Sequence, residues 1–389
     1  MLRLFFFCLP IFVLTACGNR YWYQGDVTYA DTAQPLPFEY TFSELYVTVE
    51  IDGADYRFIV DTGAPTVIDE QLQVRHQFAV NKNAFVTDSK GVRRKQDYVR
   101  IPAFRVGGLT ATGTNAIVSD LSGFTCMDID GILGANVMRA YDWEIDYQSE
   151  QFRLHTAKLS RRLAEAYPIA LPFNEQSTGT PIVALQLDER KISPLTFDTG
   201  SGGALTLRKT APVDTTRGIR YRGLGSRGLF GRQLDSLHYT RTTRLRIGGT
   251  PVDTTLIMYR SSGKQLIGNK LLDNYRVLIR WSTRTIHLQP VEEPSDLLPA
   301  STHILLWDND TIRVGRRAVG AFSLRLPINA VVTEINGTSV LPITAAAYCA
   351  LRYTPDLVLT VLNADGSPKR VMFTEEQLSL IGIRREPDK

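Results

Sequence analysis

The sequence predicts an all-β protein in which a module of roughly 115 residues occurs twice and is followed by a small third domain. Two observations predict this class. The first is an Asp-Thr-Gly motif that occurs twice, with Asp61 and Asp198 each placed directly after an apolar run. The second is the alternation of apolar and polar residues between short glycine-containing turns, which is typical of strands joined in hairpins.

The first hairpin leads into the first motif. Residues Leu45–Ile51 alternate, Asp52 and Gly53 have the composition of a tight hairpin turn, and Tyr56–Val60 runs back toward Asp61. A carboxylate at the end of a buried strand is costly unless something uses it. A strand-ending turn explains one Asp-Thr-Gly motif on its own, but two copies in matching apolar frames indicate a shared role.

Each motif is followed, about 70 residues later, by two apolar residues and a glycine, which makes the pair an internal duplication. These triplets are Ile132, Leu133 and Gly134 in the first copy and Leu266, Ile267 and Gly268 in the second. From the glycines onward the copies align without a gap, so that Tyr141 matches Tyr275 and Leu154 matches Leu288.

This combination resembles the aspartic proteases of the pepsin and retropepsin kind, over residues 41–290. The resemblance implies a bilobal β-barrel fold in which each lobe carries one catalytic aspartate on a ψ-shaped loop. The later apolar-apolar-Gly strand threads that loop. The implied catalytic residues are Asp61 and Asp198, and the implied loop supports are Thr62, Gly63, Thr199, Gly200 and Ser201.

The resemblance also implies a mechanism. Two close carboxylates share one proton, because both cannot ionise cheaply. The ionised acid activates a water molecule and its partner stabilises the oxyanion. Thr62 and Thr199 are expected to cross-link the loops, and the Ser201 hydroxyl is expected to donate to Asp198 and favour its charged form. Neither a metal nor an organic cofactor is required.

Two stretches have open interpretations. The polar turn between Ala84–Val86 and Tyr98–Ile101 lies where the resembled family has its substrate-covering flap, which predicts a flap tip near Lys90 and Gly91; an ordinary exposed hairpin is the alternative. Residues 208–246 are rich in Lys, Arg and Gly. They are interpreted as a solvated mobile loop or, alternatively, as a basic rim that favours acidic peptides.

The chain has 389 residues, with 43% hydrophobic and 22% charged side chains, as in ordinary globular proteins. A net charge of +4 is mild, and no basic run with interleaved aromatic residues occurs. Nucleic acid is therefore not an expected partner.

The N-terminus predicts export and lipid anchoring. Residues 1–16 combine one Arg with an apolar run too short to span a bilayer, as in a signal peptide. The ending Leu14–Cys17 resembles a bacterial lipobox, which makes Cys17 the expected lipidation site and membrane anchor. A plain secretory signal is the alternative. Residues 17–40 are interpreted as a tether.

The domain boundaries follow from these motifs. They are lobe 1 at 41–156, an inter-lobe linker at 157–173, lobe 2 at 174–290, a linker at 291–301, a third domain at 302–375 and a tail at 376–389. The order Val331–Gly337 in the third domain resembles a PDZ domain, whereas a purely structural small β domain is the alternative. Cys126 and Cys349 fall in different domains, so that a disulfide is possible but not indicated.

The sequence therefore predicts an aspartic-type endopeptidase of the bacterial cell envelope that acts on peptides or proteins. A monomer is expected, since both lobes lie in one chain, and this disfavours a single-lobe enzyme that must dimerise. The alternative from another class is an inactive lipoprotein that uses the same cleft to bind peptides. Retention of both Asp61 and Asp198 favours the enzyme.

Overall fold

The computed structural model describes residues 21–30, 34–210, 218–252, 254–292, 305–308, 310–319, 327–351, 358–363 and 365–372. The predicted signal peptide, Cys17 and the predicted tail lie outside the described residues. None of the helices in these ranges is long and apolar enough to cross a membrane.

The first repeat and the segment before it are built mainly of strands. The strands are β1 (Asp26–Tyr29), β2 (Leu36–Pro37), β3 (Glu39–Thr41), β4 (Glu44–Ile51), β5 (Ala54–Asp61), β6 (Val67–Asp69), β7 (Val80–Thr87), β8 (Arg93–Val106), β9 (Leu109–Ser119), β10 (Gly131–Gly134), β11 (Asp142–Asp146) and β12 (Gln151–His155). The helices are α1 (Glu70–His76), α2 (Ala135–Met138) and α3 (Ala157–Ala164).

The second repeat has the same character. Its elements are β13 (Ile169–Pro172), β14 (Asn174–Glu175), β15 (Pro181–Leu187), β16 (Arg190–Phe197), β17 (Leu205–Arg208), β18 (Ile219–Leu224), β19 (Leu234–Thr242), β20 (Leu245–Ile247), β21 (Thr250–Pro251), β22 (Thr255–Arg260), β23 (Leu266–Ile267), α4 (Asn269–Leu272), β24 (Tyr275–Arg280) and β25 (Thr285–Pro290).

The remaining described elements form the C-terminal part. They are β26 (Leu305–Asp308), β27 (Thr311–Val314), β28 (Arg316–Val319), β29 (Val331–Ile335), β30 (Thr338–Ser339), α5 (Ala345–Leu351), β31 (Val358–Leu362) and β32 (Pro368–Met372). Strand residues far outnumber helix residues in all three parts, which confirms the all-β prediction.

Nine strands of the first repeat and the segment before it form one sheet, in the order β1-β9-β6-β10-β5-β4-β8-β7 with β3 paired to β4. The predicted first hairpin is confirmed as β4 and β5. Its turn residues Asp52 and Gly53 both adopt left-handed backbone angles, with φ of 51° and 79°. This hairpin directs β5 into the core of the sheet, so that Asp61 stands at its buried end.

A second sheet combines strands of both repeats, in the order β13-β25-β24-β11-β12-β2. At its centre β11 and β24 pair antiparallel, with Trp143 opposite Ile279 and Ile145 opposite Val277. In the duplication Trp143 corresponds to Val277 and Ile145 corresponds to Ile279. Trp143 therefore faces the counterpart of Ile145, and Ile145 faces the counterpart of Trp143. That register is what a local two-fold axis between the repeats produces.

The second repeat forms the third sheet, whose edge receives a strand from the C-terminal part. The order runs β21-β20-β15-β16-β23-β17-β22-β19-β18-β28. Strand β28 pairs antiparallel with β18 over Arg220–Gly223. Residues 316–319, assigned by sequence to the separate third domain, thus extend the sheet of the second repeat.

The C-terminal sheet has the order β26-β27-β29-β31-β32. The dipeptides Asn336–Gly337 and Asp365–Gly366 predict two hairpin turns from the sequence. Both turns are present, between β29 and β30 and between β31 and β32. A disulfide between Cys126 and Cys349, with Cα atoms 5.4 Å apart, joins this part to the first repeat. The sequence alone makes this disulfide possible but does not indicate it.

The connection between the repeats contains the predicted helix, with a different buried face. The sequence predicts a helix over Lys158–Tyr167, stopped by Pro168, with Leu159, Leu163 and Tyr167 on one face. In the structure Leu159 is 41% exposed and the helix ends at Ala164. Ser160 is fully buried instead, because its hydroxyl donates to Asp142 Oδ2 at 2.5 Å. A polar contact, not an apolar stripe, therefore fixes α3 to the central sheet.

Candidate active site

The two motif aspartates occupy equivalent places in the two repeats. Asp61 is the last residue of β5, and Asp198 directly follows β16. The residues just before each acid are buried, Phe58–Val60 in β5 and Leu195–Phe197 in β16. Each acid is therefore carried on a rigid element and emerges at the boundary between the repeats.

The apolar-apolar-Gly triplets lie beside these loops. In the first repeat Ile132, Leu133 and Gly134 pair in parallel with β5, and Gly134 stands opposite Asp61. The same strand pairs antiparallel with β6, which follows the motif. In the second repeat Leu266 and Ile267 pair in parallel with β16 and antiparallel with β17. Each triplet thus runs between the two arms of its loop.

The glycine of each triplet is required by close approach. A Cβ atom on Gly268 would lie 3.0 Å from Ser201 Oγ and closer still to backbone oxygens of the loop. A Cβ atom on Gly134 would overlap the backbone at Pro65 and Thr66 in the same way. Any larger residue at these two positions would push the loop off the strand.

Thr62 and Thr199 cross-link the two loops reciprocally. Thr62 N donates to Thr199 Oγ1 at 3.0 Å and Thr199 N donates to Thr62 Oγ1 at 3.1 Å. The Thr62 hydroxyl donates to Phe197 O at 2.6 Å, and the Thr199 hydroxyl donates to Val60 O at 2.9 Å. Both threonines are fully buried, so that these bonds hold the loops together in a dry environment.

The cross-link brings the two carboxyl groups within hydrogen-bonding distance of each other. Gly63 and Gly200 make this approach possible, since each packs against the opposite acid. A Cβ atom on Gly63 would lie 2.7 Å from Asp198 Cγ. The glycine amides also stabilise their own acids, because Gly63 N donates to Asp61 Oδ1 at 2.6 Å and Gly200 N to Asp198 Oδ1 at 3.1 Å.

The environment raises the pKa of both acids. Burial is the largest cause for each, and the negative charge of Asp61 raises the pKa of Asp198 further. Asp61 is less buried than Asp198 and accepts hydrogen bonds from two amides, those of Gly63 and Ala64. Asp61 is thus the acid better suited to carry the negative charge, and Asp198 the one better suited to keep the proton.

The sequence predicts the opposite distribution of charge, with the Ser201 hydroxyl favouring the charged form of Asp198. Among the described residues, the Ser201 hydroxyl makes no hydrogen bond to Asp198; instead the Ser201 amide donates to Asp198 O at 3.2 Å. Its Oγ lies toward Gly268 on the threading strand. The expectation was wrong because it assumed a rotamer that directs the hydroxyl to the carboxylate.

Glu44 is a third buried acid beside the pair, and sequence reasoning missed it. It begins β4, lines the cleft and has an Oε2 atom without a hydrogen-bond partner. Burial, followed by the charges of Asp198 and Asp61, holds the pKa of Glu44 well above its usual range. Its position directly before an alternating strand gave no signal that it would face the aspartates.

The predicted flap is the hairpin of β7 and β8, with its tip at Asp88–Val92. The tip contacts the second repeat through backbone and side-chain hydrogen bonds. These include Phe230 N to Asp88 Oδ2 (3.2 Å), Lys264 N to Ser89 O (2.9 Å) and Lys90 Nζ to Ser226 Oγ. The hairpin therefore lies across the cleft instead of standing free in solvent.

The second repeat supplies a matching hairpin. Strands β18 and β19 pair over Ile219–Leu224, and residues 225–233 form their connection. The connection belongs to the basic, glycine-rich stretch 208–246, for which the sequence suggests a solvated mobile loop or, alternatively, a basic rim. Arg227 lies 5.1 Å from the Phe124 ring of the first repeat, so that the connection reaches across to the opposite wall.

A cleft of about 1720 Å³ lies between the repeats and contains both aspartates. Its wall includes both hairpin tips and, from the C-terminal part, residues such as Trp307, Arg316 and Tyr348. Among the described residues, no three His, Cys, Asp or Glu side chains form a group that could hold a metal ion.

A family model matches the sequence of the first repeat. Residues 47–137, which contain Asp61 and Gly134, match a family model described as aspartyl protease. Among solved structures, the chain is similar to a retropepsin-like aspartic protease from Rickettsia conorii, with 15% sequence identity and a TM-score of 0.24; 34% of this chain and 96% of that chain are covered. Curated proteins give no match. The family-model match supports a relationship to aspartic proteases.

Proposed function

We propose that this chain is an aspartic-type endopeptidase of the bacterial cell envelope that hydrolyses peptide bonds with Asp61 and Asp198. The observation that supports this most is the contact between two carboxyl groups that the duplicated loops bring within hydrogen-bonding distance. A binding protein gains nothing from two buried acids that raise each other's cost of ionisation.

In the proposed reaction one proton is shared by the pair. Asp61 is the carboxylate and accepts a proton from a water molecule as that water attacks the peptide carbonyl carbon. Asp198 is protonated and donates its hydrogen to the carbonyl oxygen, which becomes a hydroxyl of the tetrahedral intermediate. As the intermediate breaks down, Asp61 gives its proton to the leaving nitrogen and Asp198 takes back a proton from a hydroxyl of the intermediate. The carbonyl re-forms and the C–N bond breaks.

The cleft is suited to an extended peptide, since its volume exceeds that of typical small-molecule pockets. The hairpin tip at Asp88–Val92 would cover the bound chain and exclude water from the dyad. The C-terminal part, proposed to be PDZ-like, contributes Trp307 and Tyr348 to the same wall. Its strand β28 pairs with β18 and forms the edge of the second repeat's sheet.

Turnover of an unbiased peptide library tests this function. The soluble form that begins after Cys17 is incubated with the library, and cleavage products are identified by mass spectrometry. We expect endoproteolytic products that are absent with the Asp61→Asn variant. A wild-type protein that binds library peptides but cuts none would favour the inactive binding protein instead.

The envelope location rests on Cys17 alone, and one substitution tests it. Cys17→Ser should move the protein from the membrane pellet to the soluble fraction, because the acyl chains on Cys17 are the proposed anchor. Cys8→Ser, within the predicted signal peptide, is the matched control and should leave the protein in the pellet. A Cys17→Ser protein that still pellets after a high-salt wash contradicts the proposal.

A further inference from the structure

Two buried arginines with unused N–H groups line the cleft on the side of the second repeat. Arg260 is 1% exposed and Arg316 is 3% exposed. Nε and Nη1 of Arg260 and Nε of Arg316 have no hydrogen-bond partner. A buried cation with unsatisfied donors is costly, and a carboxylate in the cleft would offer these donors an acceptor.

The two side chains lie on the same face of the sheet. Arg260 is two residues beyond Met258 on β22, and Met258 pairs with Tyr239 on β19. Residues two apart on a strand point to the same side. Arg316 reaches that side from β28, since its Nη1 donates to the Tyr239 hydroxyl at 3.3 Å.

Arg260 also connects this face to the flap and the dyad. Its Nη2 donates to Ser89 O at 3.0 Å, within the flap tip. Its charge interacts with that of Asp198, and Lys264 on the same wall interacts with both catalytic acids. The unused donors of Arg260 therefore lie under the flap, on the Asp198 side of the cleft.

The protein's own carboxylates do not neutralise this site. Asp235, Asp198 and Asp88 interact with Arg260 only at longer range. Asp88 and Asp235 already accept hydrogen bonds from backbone amides, and Asp198 belongs to the dyad. Within the described ranges, neither Arg260 nor Arg316 has a carboxylate oxygen within salt-bridge distance. Burial lowers the pKa of Arg260 to about 10, so that it stays charged at neutral pH.

We propose that Arg260 and Arg316 form a subsite for a carboxylate of the peptide substrate, which selects Asp or Glu on the Asp198 side of the cleaved bond. This rests on the proposed function, because the ligand is the peptide held in the same cleft. Guanidinium groups suit the subsite, since they form charge-assisted hydrogen bonds to carboxylates.

A capture experiment tests the subsite without turnover. Immobilised Asp61→Asn protein is mixed with a pool of C-terminally amidated, random-sequence peptides, and bound peptides are sequenced by mass spectrometry. We expect Asp and Glu to exceed Asn and Gln at one position by about tenfold, as charge-assisted bonds predict. The same pool with free C-termini distinguishes a side-chain carboxylate from the terminal one.

Arginine substitutions in the Asp61→Asn protein identify the residues responsible. Arg260→Gln and Arg316→Gln should each reduce the enrichment severalfold, and Arg316→Gln keeps the test decisive if the Arg260 variant does not fold. The matched control is Arg246→Gln, which removes an exposed charge outside the cleft and should leave the enrichment unchanged.

Each outcome decides between the subsite and its absence. Equal capture of acidic and amide residues, enrichment that survives both cleft substitutions, or dependence on the free C-terminus alone would overturn the side-chain subsite. If acidic peptides are captured but the wild-type protein cuts none of them, the proposed function fails while the subsite stands.

Discussion

The dyad acids and Glu44 share one physical property: each carboxyl is held where its ionised form is poorly solvated. Burial raises the pKa of Asp61, Asp198 and Glu44, and in Asp198 and Glu44 the neighbouring charge adds to it. One negative charge in this group disfavours the next. The site therefore favours a state with one carboxylate and bound protons on the other acids.

This predicts how stability depends on pH. The pKa of Asp198 is higher in the folded protein than in the unfolded chain, so that the folded state binds more protons once pH exceeds about 4. The contribution to stability is complete at lower pH and is lost as pH rises toward the folded-state pKa. The Asp198→Asn variant should not lose this stability as pH rises. The free energy of unfolding of the variant should therefore increase with pH relative to that of the wild-type protein.

Urea denaturation at a series of pH values measures the difference. Asp120→Asn is the control, since hydrogen bonds from Ser122 lower the pKa of the exposed Asp120, and its relative stability should change in the opposite direction. A difference between Asp198→Asn and wild type that is constant over the pH series contradicts the raised pKa.

At the residue scale, the sequence identified the acids but not their environment. Asp61 and Asp198 could be predicted because the motif occurs twice in matching frames. Glu44 and Arg260 could not, because an acid before a strand and an arginine at the end of one are common and carry no local signal. The Ser201 rotamer likewise depends on Gly268, which lies 67 positions away on the threading strand.

The flap is the element whose behaviour we expect to depend most on pH. Burial, together with the positive charge of Arg260, lowers the pKa of Lys90 to about 7 in the closed hairpin. In an open flap, Lys90 would regain an ordinary pKa of about 10.4. Between these values the open form binds more protons, so that closure should strengthen as pH rises from about 7 to about 10.

Spin labels on two exposed hairpin positions, Phe85→Cys and Leu234→Cys, report the closed fraction through their distance. In Lys90→Met the closed fraction should no longer vary with pH in this window. The control Lys95→Met changes an exposed lysine on the same hairpin and should behave as wild type does. Closure that is independent of pH in the wild-type protein would refute the role of Lys90.

At the element scale, hairpins with Asp-Gly or Asn-Gly turns were predictable, because the turn type requires those residues. The β18–β19 hairpin was not. Its connection at 225–233 is long and rich in Gly and Arg, which is also the composition of a solvated loop. Its order comes from contacts with the opposite wall, such as that of Arg227 with Phe124, and the sequence does not encode these locally.

On the scale of the whole molecule, two connections fix the C-terminal part at the cleft. One is the β28–β18 pairing and the other is the Cys126–Cys349 disulfide, which spans 223 positions of sequence. Neither was predictable, since strand addition and disulfide pairing depend on the tertiary arrangement. The duplication was visible in the sequence, but the central sheet, where β11 and β24 meet about a local two-fold axis, was not predicted from it.

Removal of the disulfide should loosen the C-terminal part selectively. For a closed loop of this length the chain-entropy model gives a loss of about 5 kcal/mol. In the Cys126→Ala/Cys349→Ala variant, hydrogen exchange should increase in β28 and α5 and remain low in the loops at Asp61 and Asp198. Unchanged protection of β28 and α5 would mean that the strand pairing alone holds this part.

The most direct test of the central claim compares the two dyad variants on a peptide that the wild-type protein cuts. Asp61→Asn and Asp198→Asn should each keep the wild-type fold by circular dichroism, yet lose kcat/KM by about 10²–10⁴-fold, because neither acid can perform both proton transfers. Asp120→Asn should stay near wild type. Retention of most activity by either folded dyad variant would contradict a two-aspartate mechanism.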